Sequence, residues 1–223
     1  MLIEYLCFQS GEMGALNVLA EVEESHLLFE FLRRAGFSVY SWESIWRLPT
    51  GIKTDEPQQK WSNAAADDPA IRSLYQTLVP PLVQNAEPFT NGDTQRWVYR
   101  CKGDPLAYME VINGKSGLVL SPVIHPSIED IDTLLRDLVS FIGTVSVPIY
   151  LLVRSYQAWL SDALMNLQAQ PSPRYAMLVK HLAVGQLNTF KIAQYARGDQ
   201  RQAEQPTASI LQQYAPGNRD TGS

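Results

Sequence analysis

Asn17 to Leu48 reads NVLAEVEESHLLFEFLRRAGFSVYSWESIWRL, and Pro148 to Leu182 reads PIYLLVRSYQAWLSDALMNLQAQPSPRYAMLVKHL. Both stretches spell strand, helix, strand. In the first, a strand-like run Ala15 to Val22 leads into a helical pattern from Ser25 to Ala35, which Gly36 is suited to stop because glycine adopts the left-handed cap conformation. Val39, Ile45 and Trp46 then alternate with polar residues as a strand would, up to Pro49. In the second, the strand Val147 to Val153 precedes a helix Tyr156 to Leu167 and a strand Arg174 to Leu182. A helix stands before each stretch: one holds Leu2, Ile3 and Leu6 at helical spacing, the other spans Ile128 to Ile142.

The two series superpose at a separation of about 132 residues. Leu2, Ile3 and Leu6 match Leu134, Leu135 and Leu138, and Leu28, Leu32 and Ala35 match Leu160, Leu164 and Leu167. Val18 to Val22 falls on Ile149 to Val153 one residue earlier, a drift that a shortened loop produces. Chance coincidence within a common element order is the competing explanation. On the repeat reading, the first copy holds the second half of a domain and lacks the first half.

Between the copies, Thr50 to Asp68 is polar and reads as a linker with one short strand around Lys60 to Ser62. A helix follows from Pro69 to about Val79, broken or restarted at Pro80 and Pro81. Three strands come next, Gln95 to Cys101, Leu106 to Ile112 and Leu118 to Ile124, and their short connections make them antiparallel neighbours. The expected fold is α/β in a layered α+β sense, a mixed and mostly antiparallel sheet flanked by helices. Residues 1–49 form a half domain, 50–60 a linker, 61–184 a complete domain and 185–223 a flexible, Gln-rich tail. An amphipathic piece, Leu187 to Tyr195, lies in that tail.

With 223 residues, 45% of them hydrophobic, the chain is long enough to bury its own core. Its net charge of -5 is the wrong sign for a surface that lives on nucleic acid or anionic lipid, so neither is expected as a partner. The longest charge-free run, Leu138 to Val153, is broken by Gly143 and Pro148 and is shorter than the roughly 20 apolar residues of a membrane span. Glu4 stands where a signal peptide wants a basic residue, and the expectation is a cytoplasmic protein. Cys7 and Cys101 fit neither a disulfide framework nor a zinc site. His26, His125 and His181 are far apart in sequence, and no metal is expected. Trp42, Trp46, Trp61, Trp97 and Trp159 stand among apolar neighbours and read as core or interface packing.

The two quoted segments, RRAGFSVY above all, resemble the closing half of the GNAT superfamily of acyl-CoA-dependent N-acetyltransferases. The resemblance covers Trp61 to Ala183 as one complete domain and Met1 to Leu48 as half of another. It implies the GNAT fold and three chemical requirements. The first is a cradle for the acetyl-CoA pyrophosphate, a glycine-containing loop of main-chain N–H groups at a helix N-terminus. Here that junction reads SPVIHPSIEDIDTLL, with Glu129, Asp130 and Asp132 where phosphate would lie, and Ser127 followed by Asp130 resembles a capping box. If acyl-CoA binds at all, Val123, Ile124 and Ser127 are the residues expected to touch it. The second requirement is a proton donor for the departing thiolate, and the family's tyrosine position holds Leu32 in one copy and Leu164 in the other. Tyr156, two turns away, is the substitute candidate. The third is a base or water relay, for which Glu110 and His125 are the candidates; Glu110, in an apolar run, must face solvent or find a partner.

Two function classes follow. One is a GNAT-like ligand-sensing or protein-interaction module whose acyl-CoA site has been lost, with no cofactor. The other is an N-acetyltransferase using acetyl-CoA through an unconventional loop. The first is favoured, because cradle and donor are both missing. The half domain's strands need partners, either in the complete domain of the same chain or in a second copy as a homodimer.

Overall fold

The computed structural model describes residues 2–49, 60–65, 68–90, 94–143 and 147–182. Most of the expected linker, and the expected tail with Leu187 to Tyr195, lie outside the described residues. In chain order the elements are α1 (Leu2–Glu12), β1 (Asn17–Glu23), α2 (Leu27–Arg34), β2 (Ser38–Leu48), β3 (Trp61–Asn63), α3 (Pro69–Leu78) and α4 (Pro81–Ala86). They continue with β4 (Gln95–Cys101), β5 (Asp104–Gly114), β6 (Gly117–Ile124), α5 (Ile131–Ile142), β7 (Ile149–Arg154), a 3₁₀ turn (Ser155–Leu160), α6 (Ser161–Asn166) and β8 (Gln170–His181).

All eight strands share one sheet, in the order β1-β8-β2-β7-β6-β5-β4-β3. Every neighbouring pair is antiparallel except β6–β7. The expected mixed, mostly antiparallel sheet flanked by helices is therefore what forms. The N-terminal strands find their partners inside the same chain: β2 is hydrogen-bonded on both edges, between β7 and β8, and β1 adds to the far side of β8.

Local signals explain the ends of the elements. His26 caps α2 by accepting from Leu28 N–H at 3.1 Å, and Arg33 and Arg34 complement the dipole in its last turn. Gly36, at φ +88°, supplies the left-handed residue that lets Phe37 N–H reach back to Leu32. Asp68 caps α3, with Pro69 in the first turn. One cap departs from expectation. Helix α5 starts at Ile131, not Ile128, because the carboxylate of Asp130 accepts from Thr133 N–H at 2.9 Å and becomes the N-cap. Ser127 is left outside the helix and pairs with His125.

Adjacent residues of β5 sort the layers. Met109 joins the large core under α5 and α6, whereas Tyr108, pointing through the other face, joins Ile71, Leu74 and Val83 of α3 and α4. A third cluster joins Cys7 of α1 and Leu32 of α2 to Val22, Ala176 and Leu178. Trp46, Trp61 and Trp97 are buried in the large core as expected. Trp42 is half-buried beside Phe29 and under Arg174, and Trp159 is exposed rather than in the core. No helix among the described residues is long and apolar enough to cross a membrane.

Candidate functional site

The parallel pair β6–β7 holds only from Leu118 opposite Ile149 to Leu120 opposite Leu151. Beyond it β6 follows β5 and β7 follows β2, so the two strands part and open a wedge at Pro122 to Ile124. Main-chain groups on the inner side of such a wedge have lost their strand partner and must find another. Gln157 supplies one. It lies at a kink in the 3₁₀ turn, with φ -118° and ψ 23°, and is 3% exposed. Its carboxamide nitrogen donates to Pro122 O at 2.7 Å, and its carboxamide oxygen accepts from Ile124 N–H at 2.8 Å.

Val123 and Ile124, the residues expected to touch acyl-CoA if it binds, lie at the wedge, where Gln157 already bonds the main-chain groups that flank Val123. Tyr156 packs with Val123 and Tyr108. Burial, the largest cause, pushes its phenol up to about 12, with the carboxylates of Glu87 and Glu43 adding to the effect against the opposing Arg154. It holds its proton more tightly than a thiol, whose ordinary pKa is about 8.5, so proton transfer from Tyr156 to a thiolate runs uphill. At the family's donor position Leu164 is a core residue and Leu32 packs, partly buried, against the small cluster.

The start of α5 is closed by the protein's own side chains. His125 Nδ1 accepts from Ser127 N–H at 3.1 Å and lies 2.6 Å from the Ser127 hydroxyl. Asp130 also accepts from the Thr133 hydroxyl, and these two hydrogen bonds hold its carboxyl below the usual range. A cavity of about 500 Å³ lies beside this turn. Lys60 and Lys102 on its wall are outnumbered by Asp104, Glu129 and Asp130. The residues present do not fit acyl-CoA: Gln157 occupies Pro122 O and Ile124 N–H, and the helix start offers carboxylates to a pyrophosphate.

The sheet also brings together a group of charges that the sequence did not disclose. Glu43 of β2 stands directly opposite Arg154 of β7. Glu43 Oε2 lies 2.8 Å from Arg154 Nε, and the Glu87 carboxylate receives Arg154 Nη2 at 2.9 and 3.1 Å. The Tyr40 hydroxyl donates to Glu87 as well, and Tyr75 to its carbonyl oxygen. Burial raises the Glu43 carboxyl to about 7 against the pull of Arg154, and Glu21 and Glu87 push the same way. Burial by itself would lower Arg154, but Glu43 and Glu87 outweigh it and keep the guanidinium charged.

Glu110 finds a partner while its side chain stays 35% exposed. Its Oε1 takes Arg96 Nε at 2.9 Å and Nη2 at 2.8 Å, and Arg96 Nη2 also donates to Thr90 O. Among the described residues no hydrogen bond joins Glu110, His125 and Tyr156 into one constellation. Nor does any group of three His, Cys, Asp or Glu there suit a metal ion.

No protein-family model matches this chain, and no curated protein does. Its fold does match solved structures. A conserved protein of unknown function from Staphylococcus epidermidis superposes with a TM-score of 0.57 at 11% identity, over 81% of this chain and 79% of that one. An acetyltransferase placed in the GNAT family, from Novosphingobium aromaticivorans, superposes with a TM-score of 0.54 at 11% identity, over 80% and 81% of the two chains. The chain has the GNAT fold. At that identity the likeness extends to the fold and no further.

Proposed function

We propose that this chain is a non-catalytic GNAT-fold module that binds a small molecule or a protein and no longer uses acyl-CoA. The observation that carries the reading is Gln157, whose carboxamide bonds both Pro122 and Ile124 inside the wedge. A ligand that pairs with those groups must first expel it. The acid-capped start of α5 works in the same direction, since Asp130 occupies the amide a phosphate would want. The alternative, an N-acetyltransferase with an unconventional cofactor loop, draws on Tyr156 beside Val123. It requires Gln157 to swing out. Thermal melting separates the two: a ligand at 100 times its dissociation constant stabilises a fold by about 2.7 kcal/mol. The expected result with millimolar acetyl-CoA is an unchanged melting temperature; a clear upward shift would overturn the proposal.

The same reading includes the domain arrangement, with residues 1–49 as the second half of a GNAT-like unit docked on a complete one. Strand register supports it. Glu43 faces Tyr175, its own mate 132 positions on. The pair Ala20 with Leu178 maps onto Leu151 with Trp46, and Val22 with Ala176 maps onto Val153 with Ser44, once the one-residue drift is applied. That is the pattern of two half-units related by a local two-fold axis between β2 and β8.

A further inference from the structure

Helix α1 is LIEYLCFQSGE, apolar on nearly every side, and a helix of that kind is normally buried on every side. Here only Cys7 is buried. Leu2, Tyr5, Leu6 and Phe8 of α1 and Leu27 and Phe31 of α2 are between 54% and 79% exposed. Both helices rest on one small core cluster, so these side chains crown the same part of the molecule.

The repeat proposed above sharpens the contrast. The mates of Leu2 and Leu6 are Leu134 and Leu138, each 0% exposed, while Leu2 is 72% and Leu6 54% exposed. Leu134 and Leu138 lie in the core that β4, β5 and β6 floor, whereas among the described residues Leu2 and Leu6 have no such floor. The comparison of mates rests on that reading, but the bare surface does not.

We infer that this surface is covered by the same surface of a second copy, giving a two-fold dimer through α1 and α2. Three rings at about 150–250 Å² each, bare to a little over half, leave roughly 350 Å², and the leucines add on the order of 200 Å² more. That is most of the ~800 Å² per partner that a standard interface buries. The charges favour self-pairing too. Helix α1 carries Glu4 and Glu12 and no basic residue, whereas α2 carries Arg33 and Arg34 in its last turn against the single Glu30 in its first. Laying α1 of one protomer along α2 of its partner sets opposite charges together. The symmetry closes, so the product is a dimer and not a fibre.

Sedimentation of the full 25.0 kDa chain tests the inference, with a dimer of twice that mass expected. Phe8→Lys and Phe31→Glu, tested separately, each enter the interface twice. Each should weaken the dimer by about a hundredfold or more while leaving the dilute protein's circular dichroism unchanged. Two variants on different helices guard against one that fails to fold. A monomer at about 50 µM, or a dimer indifferent to both substitutions, would overturn the inference. If the full chain is monomeric and a chain ending at Leu182 dimerises, residues 183–223 are the occupant, and the second copy is again excluded. Acetyl-CoA plays no part in these measurements, so their failure is distinct from failure of the proposed function.

Discussion

Gln157→Ala removes the side chain that meets Pro122 O and Ile124 N–H inside the wedge. Both are buried main-chain groups held at 2.7 and 2.8 Å. A buried donor or acceptor left without a partner costs about 1–3 kcal/mol, so losing both should destabilise the fold by roughly 3 kcal/mol or more. In a domain of this size that lowers the melting temperature by about 6–12 °C. Gln157→Glu tests direction as well as size. It keeps the shape and one oxygen for Ile124 N–H, but sets a carboxylate oxygen against Pro122 O at the 2.7 Å now bridged by a donor. Protonation restores the donor, so the new carboxyl titrates above its ordinary value of about 4.3 in the folded state. A raised carboxyl loses stability as pH climbs from the unfolded to the folded pKa. The deficit of Gln157→Glu against wild type should therefore be large at about pH 8 and shrink toward about pH 5. Urea unfolding of the three chains at both pH values is the assay. A Gln157→Ala variant within about 0.5 kcal/mol of wild type, or a Gln157→Glu deficit that ignores pH, would refute the reasoning.

The other perturbations follow from single contacts. Glu43, raised to about 7 in the fold against an ordinary 4.5, keeps its proton where the unfolded chain has released it. Wild-type stability relative to Glu43→Gln should therefore fall by about 3 kcal/mol as pH rises across that window, as read by paired urea titrations; a flat difference would remove Glu43 from the account. A Cβ on Gly117 would sit 2.7 Å from Pro148 O, the acceptor for Leu118 N–H where β6 meets β7. Gly117→Ala should thus cost about 1–3 kcal/mol and speed hydrogen exchange at Leu118, whereas an unchanged midpoint would mean the backbone yields freely.

Much of the architecture was legible because it is written in local periods. Arg96 and Glu110 illustrate how far that goes: a short turn at Lys102 and Gly103, both at positive φ, forces β4 and β5 antiparallel, but its register alone would set Arg96 against Met109, and the irregularity between Tyr99 and Arg100 moves the pairing on to Glu110. The start of α5 was misread by three residues because Ser127 and Asp130 are both good caps, and only the geometry of Thr133 decides between them. Trp159 lies outside the core because an apolar neighbourhood in sequence does not say which side of a turn faces out. The wedge was less accessible still. Gln157 fell inside a predicted helix from Tyr156 to Leu167, where a carboxamide would face solvent, and the 3₁₀ turn that aims it inward has no compositional mark. Glu43, Glu87 and Arg154 meet because β2 slides between β7 and β8. No local pattern encodes a contact between residues so far apart in the chain.

The placing of β2 and the filling of the wedge bear on the same question. A strand that is to hold a ligand through its own N–H and C=O groups must keep them unpaired, or paired only to water, until the ligand arrives. That unmet demand is a standing cost to the fold. In this chain β2 satisfies the outer edge of β7, and Gln157 satisfies the inner edge of β6. At about 1 kcal/mol net per hydrogen bond, the two bonds of Gln157 set a toll of roughly 2 kcal/mol on any ligand that would replace them. That is about thirtyfold in affinity, before the repulsion between a phosphate and Asp130 is added. Selection for stability alone would close such a wedge once binding there ceased to matter. Among the described residues the conspicuous unmet demand lies elsewhere, in the bare apolar faces of α1 and α2. On the reading proposed above, an interaction is to be sought at that end of the sheet rather than in the wedge.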